Sequence, residues 1–377
     1  MGFESFLGNP QAVSTVRDML NRDAVPGSLL FAGPDGVGKK TLACMLAKAL
    51  NCERMRGNFC GQCARCLKAD EMLSLTREDL ARRREIKDAS RRVEGLIYFD
   101  LQLIEPITRF ILIEQVRQLR NTAYARAFEF PWRIFILDQA QAIHWQAVDL
   151  LLKVMEEPPE GAIFILVCPN PYELRPTLRS RCQRVQFRPV EDSAIRRLLH
   201  EERGIPPGQI ELATRWAAGS IGSARSLNLA DIQTKRRPWT GYFEIIAKKD
   251  WRSAGGADWK TFFETTKALS ENRDQLQENL RIGYTLLSDM LQVIESEDEA
   301  RIVNVDLLAS LRRWAGSLGL EGLDRLRRGL DDAYRLQTRN VNQQLGWEAL
   351  ALEVTASEQK STRRGEPSGT GSANARR

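Results

Sequence analysis

Gly33-Pro34-Asp35-Gly36-Val37-Gly38-Lys39 is a glycine-rich run that ends in a lysine. Glycines let the backbone curl until successive N–H groups face one anion, and the lysine adds positive charge at the same point. This is phosphate-binding chemistry. The apolar run Ser28-Leu29-Leu30-Phe31-Ala32 precedes it, and Thr41-Leu42-Ala43, Leu46 and Leu50 follow. The spacing predicts strand, loop and helix in succession, with the helix running to Asn51, which is the setting of a P-loop. An ordinary strand-to-helix turn is the alternative, and the terminal lysine argues against it.

A second run, Arg133-Ile134-Phe135-Ile136-Leu137-Asp138, reads as a strand that delivers a Mg²⁺-directed carboxylate, Asp138, to the same site. Two departures stand out. Lys40 occupies the position where Mg²⁺ coordination needs Ser or Thr, and Thr41 comes one residue late, about 100° further round the helix. Gln139 stands where a hydrolase carries the carboxylate that activates water, and an amide cannot accept that proton at neutral pH. The residues expected to line a nucleotide are Gly33, Gly36, Val37, Gly38, Lys39, Lys40, Thr41 and Asp138. Retention of Gly36, Gly38 and Lys39 leaves binding of ATP with Mg²⁺ open; hydrolysis by the chain alone is expected to be weak or absent.

Cys52, Cys60, Cys63 and Cys66 form C-x7-C-x2-C-x2-C. In a reducing compartment four clustered thiols point to metal rather than disulfides. Four thiolates complete a tetrahedral Zn²⁺ shell with no open position, so the ion would be structural. Free or redox-active thiols are the other reading.

The elements that must hold these groups follow from periodicity. A helix is expected over residues 9–20, a strand over 95–103, helices over 113–122 and 142–156, and a buried strand over 162–167. Residues 72–94 alternate Arg82-Arg83-Arg84 and Arg91-Arg92 with acidic residues along a thin apolar stripe, which predicts an exposed helical insertion. That segment is a solvated face or, alternatively, a nucleic-acid contact. Strands alternating with helices imply a parallel α/β sheet over residues 1–189. Beyond it, helical spacing predicts a small helical lid over 190–235 and an all-helical domain over 236–356. The Ser-, Gly- and Arg-rich tail, 357–377, is too polar to offset its ordering entropy and is expected to be disordered. Net charge is only +6, which permits contact with nucleic acid without demanding it. With no apolar stretch long enough to span a bilayer and no signal-like N-terminus, a cytoplasmic location is expected.

In combination, the loop Gly33–Lys39, the cysteine knuckle just after its helix, Asp138, Leu150-Leu151-Leu152-Lys153-Val154-Met155-Glu156-Glu157-Pro158-Pro159 and Leu178-Arg179-Ser180-Arg181-Cys182 resemble the bacterial clamp-loader family of AAA+ proteins. The resemblance covers roughly residues 5–230. It implies an AAA+ sheet domain, a lid and a helical collar. It also implies assembly in a hetero-oligomeric ring with gamma/tau and delta subunits, which loads a sliding clamp onto primed DNA as part of DNA polymerase III. By the same resemblance, Arg181 is an arginine finger that acts in trans on a neighbour's ATP; read alone, Arg181 belongs to a surface basic cluster. Lys40, Gln139 and Gly222, at the position of the motors' sensor arginine, imply a non-hydrolysing stator. The rival readings are a gamma/tau-type motor ATPase and a nucleic-acid-binding module.

Overall fold

The computed structural model describes residues 2–88, 91–96, 98–127, 129–248, 257–270, 276–296, 301–336 and 342–356. The expected tail, 357–377, lies outside them. In chain order the elements are α1 (Pro10–Asn21), β1 (Ser28–Ala32), α2 (Lys39–Asn51), α3 (Ala64–Glu85), β2 (Leu101–Ile104), α4 (Ile113–Tyr124), β3 (Arg133–Leu137), α5 (Trp145–Glu156), β4 (Ala162–Cys168), α6 (Pro176–Arg179), β5 (Gln183–Gln186), α7 (Asp192–Glu201), α8 (Pro207–Ala217), α9 (Ile221–Ser226), α10 (Leu229–Ile246), α11 (Ala257–Ser270), α12 (Leu276–Glu295), α13 (Leu308–Leu336) and α14 (Gln343–Ala356). They fall into two compact units, one of residues 1–205 with 217–226, the other of 206–216 with the chain from 227 onward.

The first unit is a parallel sheet in the order β2-β3-β4-β1-β5. Every residue of β1 to β4 is buried, which is why those strands read as mainly apolar runs, with Ser28, Gln102 and Arg133 as their buried polar members. Side chains alternate between two cores. Leu29, Phe31, Ile134, Ile136 and Ile165 meet Leu42, Leu46 and Leu73 on one face. Leu30, Phe135, Leu137 and Leu166 meet Val116, Leu119, Leu151 and Val154 on the other. β4 separates β1 from β3, so the loop after β1 and the carboxylate after β3 open at the same sheet edge with one strand between them.

Three local expectations need correction. The strand predicted over 95–103, of which residue 97 lies outside the described residues, is found later, at Leu101–Ile104; just before it the Asp100 carbonyl accepts the Ile134 N–H at 2.7 Å, and the buried Asp100 carboxylate accepts the N–H groups of Glu129 at 2.7 Å and Phe130 at 3.1 Å. The charged segment is not an exposed insertion. α3 starts at the cysteine knuckle and buries Met72, Leu73, Thr76, Leu80 and Arg83. Arg83 is used internally, donating to the carbonyls of Arg92 at 3.0 Å and Glu94 at 2.8 Å and pairing with Asp79 at 2.6 Å. Part of the 72–94 reading, residues 89 and 90, lies outside the described residues. β5 was not anticipated, because only Val185 of its four residues is buried.

Among its described residues, the regular elements of the second unit are all helices. Trp239, Tyr242, Phe243, Trp314 and Trp347 form its aromatic centre, with Trp239 and Trp347 edge-to-face at 5.2 Å. The Tyr242 hydroxyl donates to the Trp347 carbonyl at 2.9 Å. No described helix is long and apolar enough to cross a membrane.

Candidate nucleotide site and metal centre

The glycine run forms the turn from β1 into α2. Gly36 has a φ of +72° and Gly38 of +97°, values that an L side chain rarely adopts. Space matters as well as torsion. A Cβ on Gly36 would come within 2.1 Å of Ser220 Oγ, and one on Gly38 within 2.7 Å of the Phe6 ring. The Gly222 N–H, in the first turn of α9, donates to the Gly36 carbonyl at 2.9 Å. The tip of the loop is thus latched to the turn that begins α9, and glycine on both sides allows it.

Gly36, Gly38, Lys39, Lys40, Thr41 and Asp138 line one cavity of about 570 Å³. Gly33 and Val37 do not line it: Val37 is fully buried in the core, and Gly33 packs on Phe187. Sequence reasoning missed the cavity's other walls, Gln141, Val167 and Ile221. Gln139 also lines it, with a φ of +55° and its N–H on Asp138 Oδ1 at 3.0 Å. Arg225 reaches the rim, held by two bonds to Glu202 at 3.0 and 3.1 Å.

The two lysines behave differently. Lys39 is 6% exposed and curls back over its own loop, donating to the carbonyls of Gly33 and Pro34, the latter at 2.6 Å, and approaching Asp35 at 3.3 Å. Lys40 bridges two carboxylates, Glu105 Oε1 at 2.8 Å and Asp138 Oδ2 at 2.9 Å. Arg84 takes the other Glu105 oxygen at 2.7 Å. Burial alone would lower the Lys40 pKa, but the hydrogen bond to Glu105 and the Asp138 charge outweigh it and raise it. Burial likewise works against ionised Glu105, and Lys40 and Arg84 overcome it to hold its pKa below the usual value.

Arg181 does not line this cavity. It lies between α6 and β5, paired with Glu156 and donating to the Thr177 carbonyl at 3.0 Å, with about a third of its side chain exposed.

The sulfurs of Cys52, Cys60, Cys63 and Cys66 all lie within 4.8 Å of one another. Tetrahedral Zn²⁺ with bonds of about 2.3 Å sets its sulfurs about 3.8 Å apart, so the group fits. Cys52 ends α2; Cys63 and Cys66 stand at the start of α3, where the helix N-terminus favours thiolate. The N–H groups of Gln62 at 3.5 Å and Cys63 at 3.3 Å point at the Cys60 sulfur and lower its pKa to about 6. Desolvation pushes Cys66 up to about 12, a penalty that a bound cation would remove.

Residues 8–191 match the family model described as "DNA polymerase III, delta subunit". The chain is 27% identical over 231 residues to the DNA polymerase III subunit tau of Bacillus subtilis, covering 60% of this chain and 37% of that protein. It is 28% identical over 231 residues to the subunit tau of Escherichia coli, covering 60% and 32% respectively. The chain therefore spans about a third of the length of these curated relatives. Among solved structures, a gamma subunit-related protein of Thermotoga maritima aligns with a TM-score of 0.43 and 14% identity, over 92% of this chain and 99% of that one.

Proposed function

This chain belongs to the bacterial clamp-loader family of DNA polymerase III, and from that premise we propose that it is the delta-prime subunit, a stator without ATPase activity of its own. The observation that carries this is the bridge from Lys40 to Asp138 and Glu105, which occupies the carboxylate a hydrolytic centre needs for its metal. Gln139 beside it offers no base. In this reading the sheet unit lies beside a gamma/tau motor in a cytoplasmic hetero-oligomeric ring that also contains delta. The helical unit joins a collar of related domains. Through that assembly the chain takes part in placing a sliding clamp on primed DNA. Zn²⁺ at the four cysteines would be structural.

Arg181 is the residue proposed to act on the neighbour. A guanidinium is always charged and grips phosphate oxygens in a fork. Its position outside the chain's own cavity and its exposed ion pair with Glu156 support a role in trans, since a surface pair is exchanged at little cost. ATP turnover by a reconstituted clamp loader tests this. Arg181→Ala is expected to lower turnover by about 10³-fold or more, the range such fingers supply, while the chain alone stays inactive. Full activity of the variant complex would remove the finger assignment.

A gamma/tau-type motor is the second reading, favoured by the identity to the two tau subunits and by the retained loop. Turnover by the purified chain that is abolished in Lys39→Ala would establish it.

A further inference from the structure

A nucleotide in a fold of this family brings a divalent cation with it, and the residues at that position do not fit one. Mg²⁺ requires near-octahedral oxygen coordination. Asp138 supplies the one carboxylate directed at it, and that carboxylate already holds the Lys40 ammonium at 2.9 Å. Glu105, the second carboxylate at the site, is shared between Lys40 at 2.8 Å and Arg84 at 2.7 Å. Two carboxylates thus face two fixed cations, and the charge is balanced before any ligand arrives. A dication entering beside Asp138 would meet an ammonium and a guanidinium, and the other carboxylate lining the cavity, Asp35, faces the Lys39 ammonium at 3.3 Å. Thr41 also lines the cavity, but its hydroxyl stands one residue past Lys40, about 100° further round α2, and takes no part in the Lys40–Asp138–Glu105 bridge.

The anion-binding half of the site is intact. The loop has the two positive-φ glycines, and Lys39 is poised over it on carbonyl partners that phosphate oxygens can replace. Lys40 also lines the cavity of about 570 Å³ and is partly exposed.

We infer that Lys40 is a tethered cation standing in the place of the divalent ion, and that this cavity is a metal-independent site for the polyphosphate of a nucleotide. The ammonium neutralises Asp138, as the metal does in a working centre, and leaves no divalent ion to polarise a γ-phosphate. The inference rests on the P-loop reading of residues 33–39 and deepens it.

The test is calorimetric titration of the full chain with ATP, once in EDTA and once in excess Mg²⁺, together with Mn²⁺ electron paramagnetic resonance. The wild type should bind ATP with affinities that agree within about twofold, and should hold no Mn²⁺ with or without ATP. Lys40→Thr should gain about tenfold or more from Mg²⁺ and acquire one bound Mn²⁺ in the presence of ATP. Wild-type affinity that rises about tenfold with Mg²⁺, Mn²⁺ held by the wild type, or no ATP binding under either condition would each overturn the inference. The wild-type measurements decide the matter even if the variant fails to fold. The Arg181 experiment in the assembled complex reads a residue outside this cavity, so the stator role and the metal-independent site can fail separately.

Discussion

At the scale of single residues, Gly36 shows how closely the loop is fitted. Its positive φ excludes most side chains, and Ser220 occupies the space a Cβ would need. Gly36→Ala is expected to cost about 1–2 kcal/mol and to break the bond from the Gly222 N–H, read as a lower denaturant midpoint and faster amide exchange at Gly222. An unchanged midpoint would mean the latch carries no stability. The glycines and Lys39 were legible in the sequence because their spacing is itself the signal. The environment of Lys40 was not. Its misfit with Mg²⁺ could be read from type and position, but its partner Glu105 lies 65 residues away and reaches the site only when β2 pairs with β3. Arg225 was equally hard to place, because its hold on Glu202 depends on how α7 and α9 meet.

At the scale of elements, legibility followed burial on both faces. β1, β3 and β4 carry four or more consecutive apolar residues and were found; β5 carries Gln183, Arg184 and Gln186 outward and was not. α3 misled for a related reason: among its buried residues are Thr76 and Arg83, which a hydrophobic pattern does not count. That helix begins at the cysteine knuckle, so its first turn is expected to depend on metal. Protein purified under reducing conditions should hold about one Zn²⁺ per chain, and its removal should raise amide exchange over residues 52–66 and the start of α3 before the rest of the sheet unit. Well under one equivalent would favour the free-thiol reading.

α12 supplies a second test at this scale. Buried Asp289 accepts the N–H groups of Val303 and Asn304, each at 2.8 Å, and the Asn304 side-chain amide at 2.7 Å. Asp289→Ala should cost roughly 3 kcal/mol, because several buried donors lose their acceptor. Desolvation outweighs those bonds and holds the Asp289 pKa above its ordinary 3.8. The folded state therefore binds the proton more tightly than the unfolded one. The resulting contribution is full below 3.8 and is lost as pH rises through the folded-state value. Asp289→Asn, which does not titrate, should thus gain on the wild type as pH rises above 3.8, measured by denaturant midpoints. A constant difference would mean Asp289 ionises normally in the fold.

At the scale of the whole molecule, the chain passes between its two units three times, at residues 205–206, 216–217 and 226–227. α8 thus belongs with the helical unit although it lies between α7 and α9, which belong with the sheet. Within the helical unit Arg215 of α8 donates to the Ile302 carbonyl at 3.2 Å, and Arg281 lies 5.9 Å from the centre of the Trp216 ring. Arg236 is buried in the same unit, bonded to Asn304 at 2.8 Å and forked onto Asp306 at 2.9 and 2.5 Å. A cut placed where the helical spacing begins, near Trp239, removes both anchors and leaves Asp306 without its guanidinium. A fragment of residues 206–356 is therefore expected to give a helical circular dichroism spectrum and one cooperative melt. A fragment of 239–356 should be less stable by about 1–3 kcal/mol, since it loses the buried Arg236 and its bonds to Asn304 and Asp306 as well as the packing of α8. Equal stability of the two fragments would show that α8 and Arg236 do not belong to the folding unit, and that the helical core closes around its aromatic residues alone.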